Sequence, residues 1–220
     1  MIHRGSFKNI TFHEDVRFDN SHFLNCALFY NCQFNKNTFF DNVTFNRGLD
    51  FGKSIFNGDT VFSRAKINSY DVDFSGCIFK EEFRAQSLEF STPDNSPTPY
   101  IDFSESVFHK DVDLSQITFD RACSFANSKI YGNFLFQKSH FLVSVDFFNA
   151  EIEGSILFSP SPANDDSEVI PNTINEISFN RSKISDRIDF ENCEIDLLEA
   201  SFANIQKGAL FRISNQKSIV

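Results

Sequence analysis

Few residues in this chain are spaced for chemistry. Gly52-Lys53-Ser54 has the ending of a phosphate-binding loop, but such a loop needs a glycine five residues before Gly52, and Arg47 stands there. The five histidines, His3, His13, His22, His109 and His140, fall at unrelated phases of the sequence and do not converge as metal ligands would. The five cysteines, Cys26, Cys32, Cys77, Cys123 and Cys193, show no CxxC or Cys/His spacing of a zinc site. Sequons at Asn9, Asn42 and Asn180 matter only in a secreted chain. No catalytic residue, cofactor or metal is expected. The chemistry left is that of carboxylates on a surface, and where they point depends on the elements that carry them.

Those elements are set by phenylalanine. From Phe7 to Phe62 the residues Phe7, Phe12, Phe18, Phe23, Phe29, Phe34, Phe40, Phe45, Phe51, Phe56 and Phe62 follow one another at alternating gaps of five and six. A helix with an eleven-residue period would place apolar residues every three or four positions, so single phenylalanines this far apart share no helical stripe. Two residues before each lies something small or β-branched: Val16, Ser21, Ala27, Cys32, Thr38, Val43, Ser54 and Thr60. Alternate residues of a strand share a face, so each pair points inward from a very short strand. Asn, Asp, Lys, Gly and Ser fill the positions between, as turns require.

This pattern resembles the pentapeptide-repeat family, whose unit is a small residue, one intervening residue and a central Leu or Phe. VDFSGCIF at 72–79 and IDFSESVF at 101–108 match its Phe-rich form closely. The resemblance implies an all-β fold, a right-handed quadrilateral β-helix with four units per coil, which here means about 22 residues per coil and eight to nine coils. Residues 1–220 then read as one solenoid domain in which each coil touches only its neighbours.

Two inserts interrupt the repeat, STPDNSPTPYI at about 91–101 and a longer one at about 159–175. All six prolines lie in them, as expected where a proline inside a coil would remove a ladder hydrogen bond. With the face of Phe18 taken as the first, the first insert leaves between the second and third faces. The second leaves after Phe158 and is expected to re-enter at Phe179 on the third, so that both emerge from one side about three coils apart. Four cysteines (Cys32, Cys77, Cys123 and Cys193) take the small inward position, which leaves Cys26, at a corner, as the candidate for exposure. No apolar h-region precedes Phe7 and no run approaches the ~20 apolar residues of a membrane-spanning helix. A cytoplasmic chain is expected.

A net charge of -10 and a pI near 4.9 argue against direct binding of nucleic acid. The outward residue before the central Phe of the third face is Asp50, Asp73, Asp102, Ser124 and Asp146 on successive coils. These aspartates are predicted to stack one strand spacing apart, where like charges repel. Together with Asp94, Asn95 and Tyr100 of the first insert and Asp165, Asp166 and Glu168 of the second, they form the expected surface for a protein partner. The resemblance also implies a narrower role, because members of the family that inhibit DNA gyrase or protect it from quinolones are acidic dimeric rods that imitate DNA. An end-to-end homodimer is expected on the same ground, since a solenoid end without a cap exposes strand edges.

Overall fold

The computed structural model describes residues 1–69, 71–91, 100–158 and 171–211. Every strand pair among them is parallel, and most strands are two residues long. Partners lie 22 residues apart in the regular coils, as in Phe12↔Phe34 and Val16↔Thr38. The result is a β-solenoid of about eight turns, as the Phe spacing predicts. The first face runs from Val16–Arg17 to Ala209–Leu210 and the fourth from Thr11–Phe12 to Asn204–Ile205, each a nine-stranded sheet.

Two kinds of corner explain the alternation of five and six. The five-residue steps follow the first and third faces and turn through a residue of positive φ two places after the central one: Asn9, Asn20, Asn31, Asn42, Lys53, Arg64, Gly76 and onward in the same phase. Phe18 illustrates it, with its carbonyl accepting the Ser21 N–H at 2.9 Å across Asn20, whose φ is 58°. That is the geometry of a type II turn, which needs φ > 0 at its third residue. Asparagine tolerates it better than other non-glycine residues and adds a ladder of its own, Asn42 Nδ2 donating to Asn20 Oδ1 at 2.8 Å. At the six-residue corner between fourth and first faces, backbone instead approaches backbone. A Cβ built on Gly154 would lie 2.1 Å from the Gly132 carbonyl oxygen. Gly154→Ala is therefore expected to cost about 1–3 kcal/mol through forced backbone movement. Gly48, where a Cβ would meet only Cys26 Sγ at 3.6 Å, should accept alanine almost without loss, and urea unfolding of the two variants checks the contrast.

Inside, the central rings form columns. On the third face Phe29, Phe51, Phe74, Phe103, Phe125 and Phe147 stack with centroids 4.7 to 5.3 Å apart. Small inward residues satisfy the backbone around them: Ser54 Oγ donates to the Phe29 carbonyl at 2.6 Å and accepts the Cys32 N–H at 2.9 Å.

Four expectations are corrected. Tyr100–Asp102 is a strand, so Tyr100 and Ile101 belong to the coil rather than the first insert. Asn172–Ser178 is a strand too, so the coil resumes at 172 and not after 175. It resumes on the second face, where Ile174 pairs with Phe141 and Ile195, and not at Phe179 on the third. The inserts accordingly leave from the two corners that flank the second face, not from one side. Asn172 hides this from a sequence reading because it takes a position elsewhere small. Its buried amide replaces a serine, with Oδ1 accepting the Ser139 N–H at 2.7 Å and Nδ2 donating to the Phe158 carbonyl. Cys193 is the fourth correction: it is half-buried, like Cys26.

Candidate partner-binding face

The aspartate column exists as a register. Asp50 pairs with Asp73, Asp73 with Asp102, Asp102 with Ser124 and Ser124 with Asp146, and the line continues through Ser178 to Glu199. Each of the four aspartates is held by the corner that follows it. Asp50 Oδ1 accepts the Gly52 N–H at 2.9 Å, Asp73 Oδ1 that of Ser75 at 2.7 Å, Asp102 Oδ1 that of Ser104 at 2.8 Å and Asp146 Oδ1 that of Phe148 at 2.9 Å. An aspartate that bonds the backbone two residues on is a turn-forming device, and it accounts for an acceptor at this position.

It does not account for the charge. Ser124 Oγ accepts the Ala126 N–H at 3.1 Å, so an uncharged residue closes the same corner. Among the described residues, ion pairs tie Asp19, Asp41, Asp59, Asp120 and Asp186 to cations, yet none involves Asp50, Asp73, Asp102 or Asp146. Burial pushes the Asp50 carboxyl above its ordinary range and the neighbouring Asp73 adds to it, while the Gly52 N–H and, more weakly, the charge of Lys8 oppose it. Ionised Asp50 therefore costs stability.

Tyr100 lies two residues before Asp102 and so on the same outward surface, in register with Asp71 and Ala122. It is 39% exposed and hydrogen-bonds with Ser124, while burial first, and then the charges of Asp102 and Asp146, raise its hydroxyl pKa. The structure thus brings Tyr100 to the aspartates. Asp94, Asn95, Asp165, Asp166 and Glu168 lie outside the described residues. Charge is also graded along the rod. Through Lys66 there are eight Lys and Arg against six Asp and Glu, and beyond it twelve against 24. Most of the column stands in the acidic part.

Elsewhere the polar groups serve the fold. Lys53 occupies a positive-φ corner at 61° and Ser54 bonds inward, so Gly52-Lys53-Ser54 cradles nothing. His13 and His22 end amide ladders from Asn35 and Asn46, His109 stacks on Tyr131, and His140 bonds Thr173. No group of His, Cys, Asp and Glu among the described residues could hold a metal ion. Burial raises the thiol pKa of Cys32, Cys77 and Cys123 and pushes that of Cys193 up to about 12, which keeps these sulfurs protonated and unreactive near neutral pH.

Sequence reasoning missed Arg121. Its side chain is buried, with Nε donating to Asp120 Oδ1 at 2.7 Å and Nη1 to the Ser69 carbonyl at 2.5 Å, and its guanidinium lies 5.2 Å from the Phe90 ring centroid. It joins the third coil to the fifth at the corner where the fourth gives out its insert. The one signal was an arginine in the first coil after an interruption.

A family model described as pentapeptide repeats, nine copies, matches residues 7–55 and again 18–66. No curated protein and no solved structure matches the chain.

Proposed function

Because the chain is a pentapeptide-repeat protein, and such a β-solenoid is generally a non-catalytic scaffold, we propose that it acts by binding another protein through its acidic third face. The observation that carries this reading is the set of four carboxylates, Asp50, Asp73, Asp102 and Asp146, in register and without ion-pair partners among the described residues. A rigid row of like charges, one coil step of about 4.8 Å apart from Asp50 to Asp102 and two steps apart across Ser124 to Asp146, attracts a basic surface, and Tyr100 beside it supplies a flat face for a lysine or arginine. Electrostatic complementarity of this kind sets encounter rate and choice of partner.

The same row supports a narrower second reading, in which it replaces a line of DNA phosphates and occupies the DNA-binding surface of a type II topoisomerase such as gyrase. The test for both is the variant Asp50→Asn/Asp73→Asn/Asp102→Asn/Asp146→Asn, which keeps every corner acceptor and removes the charge. Partner capture and inhibition of gyrase supercoiling, with and without a quinolone, should both fall at least tenfold. Loss on deleting 92–99 or 160–170 instead would move the site to the inserts.

Stability should move the other way. A carboxyl whose folded pKa is raised contributes stability that is fully present below its unfolded value near 3.8 and lost as pH rises through the folded value. Asp50→Asn is therefore expected to raise the melting temperature at neutral pH and to leave it unchanged in acid. A fall in melting temperature at neutral pH would assign Asp50 to the fold.

A further inference from the structure

Aromatic rings accompany the aspartate column at every second coil. The residue after each central Phe of the third face points outward, and the backbone ladder aligns Tyr30, Gly52, Ser75, Ser104, Ala126 and Phe148. The Asn31 N–H donates to the Gly52 carbonyl at 2.9 Å, for example, and the Asn127 N–H to that of Phe148 at 2.8 Å. Four small residues thus floor a trough between two rings. At its first end the half-buried Tyr30 ring and the carboxylates of Asp50 and Asp73 converge on the space a Gly52 side chain would fill, 3.2 to 3.4 Å from the position of its Cβ. Two coil steps on from Asp50, Tyr100 stands beside Asp102 and is 39% exposed. Two further steps on, Phe148 follows Asp146 and is 38% exposed. The coils between set Asp71 and Ser75 beside Asp73, and Ala122 and Ala126 beside Ser124, with no ring. Lys53 Nζ at 5.9 Å and the Arg181 guanidinium at 5.7 Å lie within cation–π range of the Tyr30 and Phe148 centroids, so both rings accept positive charge where they stand.

Acid and ring therefore recur together every two coil steps, about 9.6 Å. A polyproline II helix has three residues per turn and rises ~3.1 Å per residue, or about 9.3 Å per turn. A cation at every third residue of such a segment stays in phase with Asp50, Asp102 and Asp146 to within about 1 Å over the whole row. An extended strand brings side chains to one face every ~6.8 Å and an α-helix every ~5.4 Å, and neither matches one step or two. Rings beside an open trough also suit proline-rich segments, which are extended before they bind and lose little freedom on docking. We infer that the partner segment read by this face is proline-rich, of polyproline II form, with Lys or Arg at every third residue. Its cations are seated by Asp50 with Tyr30, Asp102 with Tyr100, and Asp146 with Phe148. This rests on the acidic-face reading above and adds to it the partner's chemistry and pitch.

Fluorescence anisotropy on the full chain tests the pitch, with labelled Arg-Pro-Pro-Arg-Pro-Pro-Arg set against Arg-Arg-Arg-Pro-Pro-Pro-Pro of the same composition. The phased peptide should bind about tenfold more tightly, since linked contacts reinforce one another only when they can be engaged together. Tyr100→Ala and Gly52→Val leave every carboxylate in place, and each should cut that preference about threefold or more, the first by removing a ring and the second by filling a seat. Circular dichroism establishes that both variants are folded, and Tyr100→Ala carries the test if Gly52→Val is not. Equal affinities, no binding of either peptide, or a preference that survives Tyr100→Ala overturns the inference. The fourfold Asn variant separates it from the reading beneath. Loss of partner capture in that variant together with equal peptide affinities removes the pitch alone, whereas undiminished capture overturns both.

Discussion

Phe51→Ala is expected to destabilise the protein by about 3–5 kcal/mol, the range for removing a buried phenyl ring. Phe51 has no exposed surface. Its ring lies between those of Phe29 at 4.7 Å and Phe74 at 5.3 Å, nearly parallel to both, and meets Phe40 and Phe62 edge to face. A column of stacked rings cannot close over the gap without shifting a coil whose backbone is bonded above and below, so most of the cavity should persist. Phe7→Ala provides the comparison. Phe7 is half-buried and stacks on one side only, and its loss should cost well under half as much. Urea unfolding followed by circular dichroism measures both, and equal losses would show that position in the stack does not set the cost.

Arg121→Ala carries the second large effect. Removing one member of a buried ion pair typically costs about 3–5 kcal/mol because the other is left uncompensated, and the lower end is expected here since Asp120 is 28% exposed. Arg121→Lys should recover little. An ammonium cannot hold the Asp120 carboxylate and the Ser69 carbonyl together as the planar fork does. Hydrogen exchange at the corner near Ser69 should rise in Arg121→Ala while the first two coils stay protected. A loss spread evenly along the rod would contradict a local role for this arginine.

The solenoid was legible because one large residue per face repeats with a period that neither helix nor long strand can share. What escaped the sequence lay where another residue type did the same work. Phe83 is an example: it fills an inward position that is small in most coils, beside Ala85 in a position that is large, and the pair exchange volumes while a small apolar cavity remains next to them. The second insert was misjudged for a similar reason, since an asparagine doing a serine's bonding reads as turn. The aspartate column could be placed because period and face fix it. That its corners need an acceptor but not a charge became visible only beside Ser124. Arg121 has no periodic signature at all, being a local answer to one interruption.

The 22-residue register makes this molecule a ruler. Adding or removing a whole coil keeps every inward residue inward and every corner in phase, and it changes the distance between any two outward residues on one face by a single step of about 4.8 Å. Asp50 and Asp146 stand four steps apart in the ladder, so their separation is counted in coils rather than adjusted by side chains. A partner that reads this face reads a length in whole increments, and a lineage of such chains can retune that length by duplication without redesigning the core.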